Sequence, residues 1–166
     1  MKGHLVWIVV WTAVIFAGYL LTDRLTAPPP VVRSIAQGQQ EIVVPVSGDG
    51  HYYLDGAVNG VPLRFIVDTG ASYVSVGAGF AREARLRDGI PSYFTTANGP
   101  AEGRVVKNQS VRADAFEISG LSVAVMPIQA GEGLLGQNFL RHFEVSQSAA
   151  TLRLRCLLYT SPSPRD

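Results

Sequence analysis

The chain has 166 residues and a formal net charge of +1, which suits one domain and gives no electrostatic footprint for nucleic acid. Charged residues make up only 16% of the chain, below the soluble average of about 25%. Its single cysteine excludes an intrachain disulfide, so the domain must be held together by its core.

The first feature in chain order is an apolar run over residues 5–21 that carries no charged side chain. As a helix it would span about 25 Å, close to the lower limit for a bilayer core of about 30 Å. Trp7 and Trp11 lie toward one end and Tyr19 toward the other, as interfacial aromatic residues do. The run predicts a transmembrane anchor over 5–22. The alternative is a cleaved signal peptide, whose apolar core usually runs about 7–15 residues.

Flanking charges give the orientation of this predicted anchor. Lys2 and the α-amino group precede it, whereas Asp23 offsets Arg24 on the other side. Because positive charge is retained in the cytoplasm, residues 1–4 are predicted to be a short cytoplasmic N-terminus. The following domain is then expected on the periplasmic, extracytoplasmic side of the inner (cytoplasmic) membrane, as a single-pass protein.

The next segment, residues 23–40, contains a triple proline and no apolar period, which favours an extended Pro-rich linker. The domain itself is predicted over residues 41–155. It begins with a short strand near 42–46, and Pro45 inside that strand suits an edge position in a sheet.

A β-hairpin is predicted around Asn59 and Gly60, because this dipeptide separates two β-rich runs, 51–58 and 61–67. Apolar residues alternate along the second run, which predicts a strand with one buried face. The hairpin therefore delivers Asp68 at the end of a half-buried strand.

The remainder of the domain reads as mainly β with one or two small helices, at the strand spacing of a small barrel. The predicted strands are 73–76, 93–96, 101–106, 111–118, 121–128 and 151–154, and the predicted helices are 78–86 and 136–142. Residues 156–166 do not fit the pattern and resemble translated sequencing-adapter read-through. They are interpreted as a non-native tail and excluded from the fold.

Several kinds of chemistry lack the residues they need. Three histidines, His4, His51 and His142, are too far apart for a metal motif, and no H-E-x-x-H, C-x-x-C or EF-hand pattern occurs. A serine-nucleophile elbow and a dinucleotide fingerprint are also missing. We therefore expect no metal and no cofactor.

The triplet Asp68-Thr69-Gly70 is the strongest chemical signal in the chain. Taken alone, Asp68 could simply be an exposed turn residue that caps the next segment. A carboxylate at the end of a buried strand, beside a hydroxyl and a glycine, also suits general acid–base chemistry. Gly70 permits close backbone approach, and the Thr69 hydroxyl can form a hydrogen bond across a paired site.

Two further segments accompany this triplet. Leu134-Leu135-Gly136-Gln137-Asn138 follows the hydrophobic-hydrophobic-Gly-x-Asn pattern. Between the two lies Thr96-Ala97-Asn98-Gly99, whose Asn98-Gly99 dipeptide predicts a second hairpin turn. Together these motifs resemble the retropepsin-like aspartic proteases, in particular the membrane-tethered bacterial type with a single Asp-Thr-Gly domain. The resemblance covers about residues 50–154.

The resemblance implies a fold and a role for each matching residue. The fold is a mainly β, retropepsin-like small closed barrel, one lobe of the acid-protease fold, preceded by one transmembrane helix. The implied roles are catalytic for Asp68, Thr69 and Gly70, substrate-binding for Ala71, Ser72, Ala97, Asn98 and Gly99, and structural support for Leu134, Leu135, Gly136 and Asn138. One position departs from the pattern, because Gln137 stands where retroviral enzymes usually have an arginine that makes an ion pair.

The implied activity is that of an aspartic endopeptidase that hydrolyses peptide or protein substrates. Such chemistry needs two aspartates, and residues 41–155 contain one Asp-Thr-Gly triplet and are too short for two lobes. The second aspartate must then come from a second copy, so the active form is expected to be a homodimer. The alternative is a catalytically silent domain of the same fold that binds peptides or has a structural role in the envelope.

Overall fold

The structure, a computed structural model, describes residue 7 and residues 10–18, 31–34, 41–128 and 131–157. Helix α1 covers residues 10–18. The other helices are α2 (Ala78–Glu83) and α3 (Gln137–Leu140). The strands are β1 (Val31–Ser34), β2 (Glu41–Pro45), β3 (Tyr53–Val58), β4 (Val61–Val67), β5 (Val74–Gly77), β6 (Ile90–Thr96), β7 (Gly99–Ala113), β8 (Phe116–Met126), β9 (Glu132–Leu135), β10 (Phe143–Gln147) and β11 (Thr151–Cys156).

Most strands form a closed barrel. Neighbouring strands pair in the order β8-β5-β9-β4-β3-β7, and β7 pairs with β8 to close the ring. Strands β1 and β6 extend the sheet outside the ring as edge strands, and β10-β11-β2 form a second sheet. The predicted mainly β fold with a small closed barrel is confirmed, and β2 occupies the predicted edge position.

The barrel core is apolar and brings the C-terminal elements onto the barrel. Phe65, Phe116 and Phe139 are fully buried, and Phe143 is 4% exposed. The Phe143 ring contacts Phe116 edge-on at 5.1 Å and stacks on Phe139 at 5.3 Å, measured between ring centroids. Truncating one such core aromatic side chain to alanine typically costs about 3–5 kcal/mol. These contacts hold α3 and β10 against β8.

The predicted hairpin of β3 and β4 has the turn chemistry that its sequence indicates. Asn59 and Gly60 have positive φ angles of 51° and 80°, as a tight primed turn requires. Along β4, Leu63 and Phe65 are buried whereas Arg64 between them is exposed. The predicted alternation is therefore confirmed.

The structure describes only part of the N-terminal segment for which an anchor and a linker are predicted. Within the described residues no helix is long and apolar enough to cross a membrane. The predicted anchor, 5–22, lies partly outside the described residues. The predicted linker, 23–40, contains β1, which pairs antiparallel with β8 from Val31 opposite Ser119 to Ser34 opposite Phe116. That part of the linker range therefore belongs to the sheet.

Other boundaries also differ from the sequence predictions. The predicted strand 111–118 is interrupted by a turn at Asp114, which adopts a positive φ of 48° that aspartate tolerates. Strand β8 then runs without a break from Phe116 through Gly120. Strands β9 and β10 were missed, because they are only four and five residues long.

Cys156 corrects the predicted start of the tail. It is the last residue of β11, pairs with Phe143, and is 1% exposed in the core. Leu157 follows it and donates its backbone N–H to the His142 carbonyl. Burial of the Cys156 side chain therefore extends the fold past 155, and the remaining predicted tail, 158–166, lies outside the described residues.

His142 makes fold stability depend on pH. Its Nε2 atom is buried without a hydrogen-bond partner in the described part of the chain. Burial, helped by the nearby charge of Arg141, lowers the pKa of His142 below its ordinary value of 6.5. The unfolded chain therefore binds a proton that the folded chain excludes, so this contribution to stability is present above pH 6.5 and is lost as pH falls through the folded pKa.

We therefore expect the free energy of unfolding to fall between pH 7.5 and pH 5.5 (about one unit either side of the ordinary histidine pKa) by less in His142→Gln than in the unsubstituted protein. Urea unfolding at each pH measures this difference. His51→Gln, at an exposed position, is the matched control for the loss of a histidine. Equal pH dependence in His142→Gln and the unsubstituted protein would contradict the assignment.

Candidate active site

Asp68 lies in a turn directly after β4, at the point where β4 and β9 run parallel. Val67 pairs with Leu135, and the Asp68 backbone N–H donates to the Leu135 carbonyl at 3.1 Å. The Gly70 N–H donates to the Asp68 carboxylate Oδ1 at 2.8 Å, and the Ala71 N–H to the Asp68 carbonyl at 3.3 Å. The half-buried carboxylate is thus oriented by its own turn.

Backbone groups of α3 hold this turn from behind. The N–H of Gln137 donates to the Ala71 carbonyl at 2.7 Å, and that of Asn138 to the Ser72 carbonyl at 3.2 Å. Gly136 is required by this approach, because an added Cβ would lie 2.3 Å from the Tyr73 carbonyl oxygen and 2.7 Å from that of Ala71. The two motifs of the sequence therefore meet in space.

The Asn138 side chain forms a second set of contacts behind the turn. Its Oδ1 accepts a hydrogen bond from the Val74 N–H at 2.8 Å, and its Nδ2 donates to the Ser122 carbonyl at 2.6 Å. With only 8% of its surface exposed, Asn138 satisfies two backbone groups that would otherwise be buried unpaired.

Gln137 and Leu134 lie next to the contacts made by Asn138. The Gln137 Nε2 donates to the Thr69 carbonyl at 3.0 Å, so the residue that replaces the expected arginine still contacts the turn through a neutral amide. Leu134 pairs with Ser75 of β5 and also lines the cleft described below, whereas Leu135 is fully buried.

The hairpin of β6 and β7 lies on the other side of the site. Thr96 pairs with Gly99, so its two-residue turn is Ala97-Asn98 and not the predicted Asn98-Gly99. The Thr96 hydroxyl explains this shift, because it accepts from the Asn98 N–H at 3.2 Å and donates to the Gly99 carbonyl at 2.7 Å. Gly99 follows the turn with a positive φ of 103°.

A cleft of about 1030 Å³ separates the Asp68 turn from this hairpin. It is lined by most of the residues predicted for catalysis and substrate binding, namely Asp68, Gly70, Ala71, Ser72, Ala97, Asn98 and Gly99. Thr69 is exposed at the turn and does not line the cleft, while Leu135, Gly136 and Asn138 lie behind it.

Sequence reasoning missed the aromatic contact that bridges the cleft. The rings of Tyr73 and Phe94 meet edge to face with their centroids 6.4 Å apart, and both side chains line the cleft. Phe94 also covers Gly103 of β7, where an added Cβ would lie 3.1 Å from its ring. No sequence signal distinguishes Phe94 from the adjacent Tyr93, which is 81% exposed, because only the pairing of β6 with β7 decides which of the two faces inward.

The charges of the cleft are simple. Asp68 is its one carboxylate, and no lysine, arginine or histidine is among the described residues that line it. Across the described residues no cluster of histidine, cysteine, aspartate and glutamate is placed to hold a metal ion. Each chain therefore contributes one carboxylate to a cleft otherwise lined by apolar, hydroxyl and amide groups.

Comparison with known proteins places this geometry in a family. The family profile described as gag-polyprotein putative aspartyl protease matches residues 54–142, which include both the Asp68 turn and the α3 motif. The solved structure of a retropepsin-like aspartic protease from Rickettsia conorii superposes with a TM-score of 0.60 at 25% identity, covering 77% of this chain and 94% of that one.

Two curated relatives are themselves uncharacterized. A Rickettsia prowazekii protein is 50% identical over 108 residues, which are 63% of this chain and 46% of that protein. A Sinorhizobium protein encoded in the cobV 5′ region is 29% identical over 145 residues, 84% of this chain and 62% of that protein. The chain thus spans about half to three-fifths of the length of these relatives. Because the family profile covers more than half of the chain, the protein belongs to the retropepsin-like aspartic protease family.

Proposed function

We propose that the protein is an aspartic endopeptidase whose active site forms when two copies associate. The observation that carries this proposal is the Asp68 carboxylate, which is fixed by its turn at the edge of a cleft of about 1030 Å³ and is the one carboxylate there. A cleft of this size can enclose several residues of an extended peptide.

A homodimer supplies the second carboxylate that the chemistry requires. Two carboxylates about 3 Å apart cannot both ionise easily, so the pair shares one proton and titrates as a unit. The ionised carboxylate acts as general base on a water molecule, and the protonated one polarises the scissile carbonyl. Thr69 is exposed beside Asp68, where its hydroxyl can reach the partner's turn.

The hairpin of β6 and β7 supplies the cover in this mechanism. Its edge strand β6 leaves backbone groups unpaired on one side, and an extended peptide can use them. Closure over the substrate excludes bulk water, which strengthens the electrostatic interactions around the carboxylates.

Replacing the carboxylate tests the catalytic role directly. Asp68→Asn keeps the size of the side chain and the hydrogen bond to the Gly70 N–H, but an amide cannot share the proton of the pair. We expect cleavage of a denatured protein to fall at least about a hundredfold, with little change in melting temperature. Asp88→Asn is the matched control, because Asp88 is exposed outside the cleft and asparagine tolerates its positive φ of 52°. Undiminished cleavage by folded Asp68→Asn protein would refute the proposal, and peptide binding without cleavage by the unsubstituted protein would indicate the silent alternative.

Dilution tests the shared site. Because a monomer holds one Asp68, specific activity should fall as the protein is diluted below the dissociation constant of the dimer. Activity assays paired with sedimentation velocity at the same concentrations measure this. Constant specific activity where sedimentation detects only monomer would contradict an active site built from two copies.

Gly99 tests the role of the hairpin as a moving cover. Valine resists the positive φ of 103°, so Gly99→Val should lower kcat/KM for peptides by at least about tenfold, or about 1.4 kcal/mol. Gly60→Val is the matched control, since Gly60 also has a positive φ, of 80°, next to open space but lies in the turn between β3 and β4. Both variants should lose similar thermal stability, and only Gly99→Val should lose activity. Equal activity of the two variants would remove the hairpin from the mechanism.

We further propose that an N-terminal anchor over residues 5–22 tethers the domain to the inner membrane on its extracytoplasmic side. The uncharged run and the positive charge of Lys2 before it support this orientation. Confinement to a membrane would raise the effective concentration of copies and favour dimers. A reporter fused after Asp166 should then be exported, and one fused before Met1 should stay in the cytoplasm. Protection of the C-terminal reporter from protease in spheroplasts would reverse the assignment.

A further inference from the structure

A second groove, of about 490 Å³, is lined by the end of the Asp68 turn, by α3 and by β8. Ser72 and Tyr73 line both this groove and the cleft, so the two spaces adjoin at these residues, beside the aromatic contact of Tyr73 with Phe94. A peptide long enough to pass this contact therefore meets the surface formed by β8 and the end of α3.

The groove presents hydrogen-bond donors and one positive charge. Ser122, Gln137 and Arg141 line it, and no carboxylate is among its described lining residues. The Arg141 guanidinium forms no ion pair with any carboxylate in the described part of the chain. The cleft itself has the opposite character, because Asp68 is the one carboxylate and no cation is present among the described residues that line it.

Two of the backbone acceptors at the groove, the Ser72 and Ser122 carbonyls, are already used by the fold. Asn138 donates its backbone N–H to the Ser72 carbonyl and its side-chain Nδ2 to the Ser122 carbonyl. The groups left for a ligand are therefore mainly the serine hydroxyls and the guanidinium, which suit a carboxylate better than an ammonium group.

We propose that this groove binds an Asp or Glu side chain of the substrate that lies outside the segment held in the cleft, with Arg141 as the specificity-determining residue. The inference rests on the proposed protease function. In a homodimer the two grooves are related by the two-fold axis, so acidic residues are selected at equal distances on both sides of the scissile bond. Next to that bond an acidic residue is disfavoured, because it would face Asp68 without a cation to offset the repulsion. The substrate class is a peptide with an uncharged centre and acidic flanks.

The preference for an acidic residue should be small, because the Arg141 guanidinium is exposed to solvent. Exposed ion pairs contribute little, and a bidentate arginine–carboxylate pair somewhat more, so we expect a preference of about three- to tenfold for each groove. Screening should reduce this preference as ionic strength rises, since the pair lies at the surface.

The test uses the full chain and peptides that share one uncharged centre. Aspartate is moved outward from the scissile bond one position at a time, and each peptide is paired with its asparagine counterpart. We expect aspartate to raise kcat/KM, mainly through KM, at one position on each side, and Arg141→Gln to abolish that ratio. Arg141→Glu should reverse it, so that lysine is preferred at the same positions. Arg82→Gln, on the exposed side of α2, is the matched control and should keep the aspartate preference.

A binding measurement separates this inference from the proposed function. Fluorescence anisotropy with the Asp68→Asn protein compares the same labelled aspartate and asparagine peptides without cleavage. Tighter binding of the aspartate peptide that Arg141→Gln removes would support the groove even if no peptide is ever hydrolysed. Cleavage with an aspartate-to-asparagine ratio that Arg141→Gln leaves unchanged would overturn the groove and leave the protease intact. Absence of any peptide binding would overturn both.

Discussion

Asn138 links three elements that are far apart in the sequence, and the geometry of the Asp68 turn depends on this link. Its side chain joins the start of β5 to β8, while its backbone holds Ser72. Losing the side chain would leave the buried Val74 N–H unpaired, at a cost of about 1–3 kcal/mol, and would remove the hydrogen bond to the half-buried Ser122 carbonyl. The adjacent Gly136 completes the constraint, since no side chain fits where it passes the Tyr73 carbonyl.

The two sides of the cleft are held to different extents. On one side, α3 and β9 hold the Asp68 turn with four hydrogen bonds, and two more form within the turn, so the carboxylate is restrained. On the other side, β6 is an edge strand whose side chains are at most half-buried, and its main contact across the cleft is the Phe94 ring on Tyr73. An edge-to-face pair contributes about 0.5–1.5 kcal/mol beyond its buried area. The hairpin is therefore held less firmly at the cleft than the turn is.

Local sequence signals predicted the parts of the fold whose cause is local. The Asn59-Gly60 turn and the alternation along β4 need only neighbouring residues, and both are found. Features caused by distant contacts were missed or displaced. From the sequence alone Cys156 is assigned to an unrelated tail, because its pairing with Phe143 of β10 forms only in the folded chain. The contact between Tyr73 and Phe94 likewise requires the hairpin to fold over the turn. The one-residue shift at Gly99 has a different origin, because the Thr96 hydroxyl selects the turn and no dipeptide rule includes that side chain.

Gln137 is neutral where retroviral enzymes usually have an arginine, yet it still contacts the Asp68 turn. Its amide reaches the Thr69 carbonyl within the same chain, so the turn keeps a contact from α3 without an ion pair. A neutral residue at this position also leaves Arg141, whose N–H donates to the Gln137 carbonyl, as the one cation of the adjacent groove. An arginine at 137 would have placed a second positive charge about one helical turn away. A neutral Gln137 therefore leaves Arg141 as the source of positive charge at the groove, and no cation is among the described residues that line the cleft. The proposed preference for an uncharged peptide centre with acidic flanks rests on this charge distribution.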